Sequence, residues 1–115
     1  MLAGIASQAQ TVATRVVGDT TATNSLIVTS QASKTFLITG YTATTQYIMV
    51  FQTNSVPANG TKAVFSVPVS AGQFYSIDFG YYGADLDKLT VCNSTTANTL
   101  TIGAADTTFQ CVLRR

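Results

Sequence analysis

Histidine, glutamate and tryptophan are all missing from this sequence of 115 residues. Without histidine, one chain cannot build a Ser-His-Asp or Cys-His arrangement. Without tryptophan, a broad aromatic platform for a sugar ring is gone. Charge is scarce as well: Lys, Arg, Asp and Glu make up 10% of the chain, against about 25% in an average domain. The formal net charge is +1, and Arg114 and Arg115 form the only adjacent basic pair, read as a solvated tail. Nucleic-acid binding needs several Lys or Arg facing phosphates, so the expectation is no nucleic-acid partner. Two cysteines, Cys92 and Cys111, are too few for a structural zinc site without histidine. Two buried thiols are the plainer reading of them, and a disulfide between neighbouring strands is the alternative. No run approaches the ~18 apolar residues of a membrane span. The opening "MLAGIASQAQTVATRVV" has no basic stretch before its apolar residues, as a secretory signal would. The expectation is a chain made in the cytoplasm, with no membrane partner and no cofactor.

What is present points one way. Hydrophobic residues are 46%, with six Phe and five Tyr, and threonine is the commonest residue at about twenty. Disordered chains have few aromatic and β-branched residues and many charges, and this one reverses both. Thr, Val, Ile, Phe and Tyr suit a pleated, half-buried surface. A weakly charged exterior solubilises a monomer poorly. Part of the surface is therefore expected to be covered by a partner or by copies of the chain.

Residues 1–11 are small and uncharged and read as an N-terminal arm. Residues 12–115 read as a single β-sandwich domain. Strand-like runs are "VATRVV" (12–17), "SLIVTS" (25–30), "KTFLITGY" (34–41), "QYIMVFQT" (46–53) and "KAVFSVPV" (62–69). They continue with "FYSIDF" (74–79), "KLTVCN" (88–93), "TLTI" (99–102) and "TFQCVLR" (108–114). Short strands at this spacing predict an all-β antiparallel sandwich of about eight or nine strands, jelly-roll or immunoglobulin-like. "VPANG" around Asn59 and Gly60 predicts a tight reversal. Pro68 inside a strand predicts an edge or a bulge. "QYIMVFQ" is apolar on both faces, which predicts a central strand or an interface. In "YSIDF", alternation puts Tyr75, Ile77 and Phe79 on one face, with Ser76 and Asp78 on the other.

The stretch "FYSIDFGYYGADLDKL" (74–89) gathers Asp78, Asp85 and Asp87 with Tyr75, Tyr81 and Tyr82. Three chemistries compete for it. A glycosidase pair needs two carboxyl groups in different environments. A calcium site has "DLD" to offer but no EF-hand spacing. A sugar groove would use Tyr75, Asp78, Asp85 and Asp87 with the neighbouring tyrosines. The plainest reading is a core strand, its glycine-bounded corner and an exposed loop, without catalysis. The sequons "NGT" (59–61) and "NST" (93–95) read as ordinary turns.

Three blocks together, "QYIMVFQTNSVPANG", "FYSIDFGYYGADL" and "VCNSTTANTLTIGAAD", resemble small β-sandwich virion proteins of tailed bacteriophages. Those proteins decorate or cement the capsid, and related modules occur in tails and fibres. The resemblance covers residues 41–114 and consists of turn-and-strand patterns. It implies a non-enzymatic structural protein on the virion's capsid surface, bound to the major capsid protein between capsid subunits and stabilising the head. It also implies self-association, with a homotrimer favoured by capsid symmetry axes. Its expected contacts are Leu2 and Ile5 of the arm, Val56, Pro57 and Asn59 of the loop, and Tyr81 and Tyr82 of the corner. The rival reading is a carbohydrate- or receptor-binding module on a tail fibre or capsid surface.

Overall fold

The computed structural model describes residues 14–19, 21–28, 34–80, 83–85 and 88–114. Its strands are β1 (Thr14–Gly18), β2 (Ser25–Val28), β3 (Lys34–Thr42), β4 (Gln46–Phe51), β5 (Phe65–Val69), β6 (Gln73–Asp78), β7 (Ala84–Asp85), β8 (Leu89–Ser94) and β9 (Thr107–Arg114). They form an antiparallel sandwich. Sheet A has the order β1-β9-β3-β6, with the two-residue β7 added beside the start of β3. Sheet B has the order β2-β8-β4-β5. The all-β sandwich expected from the strand spacing is the fold observed.

Alternation explains the layers. From sheet B, Leu26, Val28, Ile48, Val50, Leu89 and Val91 point inward. From sheet A, Ile38, Tyr75, Phe109, Cys111 and Leu113 meet them in one core. Phe65 and Phe79 close the side of the sandwich edge to face, with centroids 5.6 Å apart. The intervening residues of β4 are apolar as well, and β8 adds Cys92 between Thr90 and Ser94. Met49, Phe51 and Cys92 form a second core on the outer side of sheet B, joined by Leu100, Tyr47, Ala63 and Ile102. Two loops, 52–64 and 95–106, cover it. They are stitched together by Gly60 N to Leu100 O at 2.7 Å, Leu100 N to Thr61 O at 2.9 Å and Ala63 N to Asn98 O at 3.0 Å. The two-faced reading of "QYIMVFQ" is thus met by an interior strand under the chain's own loops.

Pro68 lies on β5, an edge strand of sheet B, where a missing N–H costs no ladder bond. "TLTI" departs from expectation. Residues 99–102 make only isolated bridges, Lys62 with Thr99 and Ser94 with Ile102, because Leu100 turns in to plug the outer core. The "VPANG" reversal is closed by Thr61 N to Ala58 O at 3.2 Å. Gly60 has φ of 93° while Asn59 keeps a negative φ, so the turn is not the doubly left-handed one that Asn-Gly favours.

The ladder between β3 and β9 has a bulge between Thr35 and Leu37, and farther along side chains join it around Gly40. Tyr41 N donates to the Thr108 hydroxyl (3.0 Å), and the Thr108 carbonyl accepts from the Tyr75 hydroxyl (2.8 Å). Tyr75 pairs with Gly40, which in turn pairs with Phe109. A Cβ on Gly40 would stand 1.9 Å from the Thr108 carbonyl oxygen and 2.7 Å from the Tyr75 oxygen. Only glycine leaves room for the patch. We expect Gly40→Ala to destabilise the protein by about 3 kcal/mol or more, the range for overpacking plus a lost buried hydrogen bond. Urea denaturation checks this, and an unchanged midpoint would show that the patch is dispensable.

Candidate contact surface

Of the aspartate and tyrosine corner, Tyr75, Asp78 and Asp85 lie among the described residues. Tyr75 is 6% exposed and belongs to the inter-sheet core. Burial, chiefly, pushes its hydroxyl pKa far up, with Cys111 and Asp19 adding to the effect, so it stays a neutral donor. The expected sugar contact at Tyr75 is therefore corrected to a core role, because its ring and hydroxyl are both used internally. Asp78 is exposed, and its carboxylate accepts from Gly80 N at 2.8 Å, which starts the corner. Gly83 N to Gly80 O closes it at 3.2 Å, with φ of 84° at Gly80 and 71° at Gly83. Tyr81, Tyr82 and Asp87 lie outside the described residues. Asp85, expected in a solvated loop, belongs to β7, whose backbone pairs with Lys34 in register. Among the described residues no group of three His, Cys, Asp or Glu could hold a metal ion, and no helix is long and apolar enough to cross a membrane.

The loop contacts fare differently. Leu2 and Ile5 lie outside the described residues. Val56 is 41% exposed, Pro57 is half-buried, and Asn59 is exposed at the loop tip. The Asn59 side-chain oxygen accepts from Ile102 N at 2.9 Å. That bond ties the loop tip to the neighbouring loop, so Val56 and Pro57 are presented on a braced segment rather than a free one. The sequon at Asn93 is closed to modification, because that side chain is fully buried.

A polar cluster that pattern reading missed lies at one end of the sandwich. Gln46 and Asn93 stand on the inward faces of β4 and β8, where apolar residues would be expected. The Gln46 amide nitrogen lies 2.6 Å from the Thr42 hydroxyl, 2.7 Å from the Thr107 hydroxyl and 2.9 Å from an Asp106 carboxylate oxygen. The Asn93 amide donates to Ala104 O (2.7 Å) and to the Thr107 hydroxyl (2.9 Å), and its oxygen accepts from Gly103 N (3.2 Å). Thr44 donates to the other Asp106 oxygen at 2.8 Å. No buried side-chain nitrogen or oxygen among the described residues lacks a partner. The cluster ties sheet A to sheet B and needs no ligand to complete it. Its sequence signal is a polar residue at an inward parity on each of two strands whose other inward residues are apolar.

Compared with family models, curated proteins and solved structures, the chain matches none of them.

The polar cluster and the thiols each make a measurable demand. Partial burial raises the Asp106 pKa, but the side-chain hydrogen bonds from Thr44, Gln46 and Thr107 outweigh it and hold the carboxyl below its ordinary 3.8. A carboxyl depressed in the fold adds stability that is full above its unfolded value and is lost as pH falls through the folded one. The urea midpoint should therefore drop below about pH 4, and Asp106→Asn should flatten that part of the profile. Equal slopes would remove Asp106 from the acid response. Cys92 and Cys111 are free and buried, and burial pushes both thiols up to about 12. An aromatic disulfide reagent at about pH 8 should label neither in the native protein and both in urea.

Proposed function

We propose that this chain is a bacteriophage virion structural protein, a decoration or cement protein bound to the outer capsid surface between capsid subunits. Strand order carries the reading. Leaving out the two-residue β7, the eight strands run 1-8-3-6 in one sheet and 2-7-4-5 in the other. That is the order of a jelly roll, an architecture found in viral capsid and lectin domains. The charge-poor exterior supports it, because an interface core depleted of charge avoids desolvation cost. The braced 52–64 loop supports it too. A segment already held in shape loses less freedom on binding, and Val56 and Pro57 sit on it as apolar contacts. The proposed partners are the major capsid protein and copies of the chain itself, a trimer being the assembly that capsid three-fold axes favour. The glycan-binding alternative shares the jelly-roll order but loses Tyr75 to the core.

The test is quantitative mass spectrometry of purified virus particles from the source, expressed as copies of this chain per major capsid subunit. Hundreds of copies per particle are expected. A handful would move the protein to the tail, and none would remove it from the virion.

A further inference from the structure

The braced loop that presents Val56 and Pro57 carries Asn59-Gly60 at its tip. A carboxamide followed by glycine is chemically labile, because no side chain shields the next backbone nitrogen from it. The surroundings add no steric shield either. Asn59 and Gly60 are both exposed, and a Cβ built on Gly60 would meet nothing within 4 Å. Two hydrogen bonds hold the reacting groups instead. The Gly60 N–H donates to Leu100 O at 2.7 Å, and the Asn59 Oδ1 accepts from Ile102 N at 2.9 Å. Both partners belong to loop 95–106. The first bond is at the short end of the N–H···O range.

We infer that Asn59 is a covalent modification site, kept unreacted by the pairing of loops 52–64 and 95–106 and converted to aspartate or isoaspartate when they part. In the open state the Gly60 nitrogen gives its proton to solvent base and attacks Asn59 Cγ. A C–N bond closes a cyclic imide, the Cγ–Nδ2 bond breaks, and Nδ2 takes up a proton and leaves as ammonia. Water then adds to either imide carbonyl and opens the ring. No oxidant or reductant is used. In the closed state the same attack needs two changes together. The Asn59 side chain must leave Ile102 N to turn its carbon toward Gly60, and the Gly60 N–H must leave Leu100 O. Local opening becomes rarer as a segment buries more apolar contacts, and Leu100 is sunk in the outer core with Met49 and Phe51. The conversion is one-way. Either product puts a carboxylate on a loop whose other charged residue is Lys62. Isoaspartate also lengthens the main chain by a methylene, which moves Gly60 N off Leu100 O. The inference does not depend on the function proposed above.

The test ages the full chain in mildly alkaline buffer, folded and in urea, and follows amide loss by peptide mass spectrometry. Asn54, followed by Ser55 in the same loop, is the internal reference. It is exposed, and Ser55 N donates no hydrogen bond among the described residues. One tryptic peptide, residues 35–62, carries both sites. At each site the folded rate is divided by the urea rate, which removes the intrinsic difference between glycine and serine. The ratio at Asn59 is expected to be at least tenfold below that at Asn54. Leu100→Ala, checked as folded by circular dichroism, should raise the folded rate at Asn59 at least fivefold and leave Asn54 unchanged. Equal ratios at the two sites in the unaltered protein would overturn the inference, whether or not the variant folds. So would an unchanged Asn59 rate in folded Leu100→Ala protein, or no conversion of Asn59 in urea.

Discussion

Much of this fold answers to one constraint: β4 is apolar on both faces, with Cys92 of β8 beside it on the outer one. A strand in a two-sheet sandwich ordinarily has one dry side and one wet side. Here Ile48, Val50, Leu89 and Val91 fill the dry side, and Met49, Phe51 and Cys92 would stand in water on the other. The chain answers by folding two long loops over sheet B. Those loops hold their place by pairing with each other and by burying Leu100. Much of the threonine serves the same end. Ser94, Thr96, Thr99 and Thr101 bond among themselves, and Thr90 reaches across to Thr53 O at 2.8 Å. Hydroxyls satisfy loop carbonyls that could not be paired in a ladder, and do so without adding charge.

The polar cluster solves the opposite problem. At the end where β4 and β8 carry Gln46 and Asn93, the space between the sheets is lined by amides and hydroxyls. Buried polar groups are tolerable only when all are satisfied, and among the described residues they are. The geometry makes the set specific. Its members come from several separate segments, so a strand displaced by one residue would leave several donors unpaired at once. The apolar core supplies attraction without direction, and this cluster supplies the direction.

The elements best read from sequence were those whose information is local. Alternation placed Tyr75, Ile77 and Phe79 inward, proline marked the edge strand, and the double-faced run marked an interior one. The errors came where distant residues decide. "TLTI" has the composition of a strand, but Leu100 is claimed by a core made from β4 and β8. "GADL" reads as loop, yet the start of β3 offers its backbone to Ala84 and Asp85. Alternation puts Tyr75 on the core face but does not show the hydrogen bond its hydroxyl makes to Thr108 past Gly40, which leaves no group of it for a sugar. The polar cluster draws on residues 42, 46, 93 and 103–107, a set that no short window contains.

The position of β9 has a consequence for the order of events during synthesis. Of the nine strands this one is made last, yet it lies between β1, the first, and β3. Until it leaves the ribosome, β1 has no neighbour in sheet A, and Phe109, Cys111 and Leu113 are missing from the core. Completion of the sandwich is thus deferred until β9 emerges. The nascent chain must hold its other strands soluble meanwhile, with long loops to close before any reward arrives. Sheet B meets a milder form of the same delay, since β2 waits for β8. A low density of charge makes that wait hazardous, and prompt burial once β9 is free is what this topology demands of the cell.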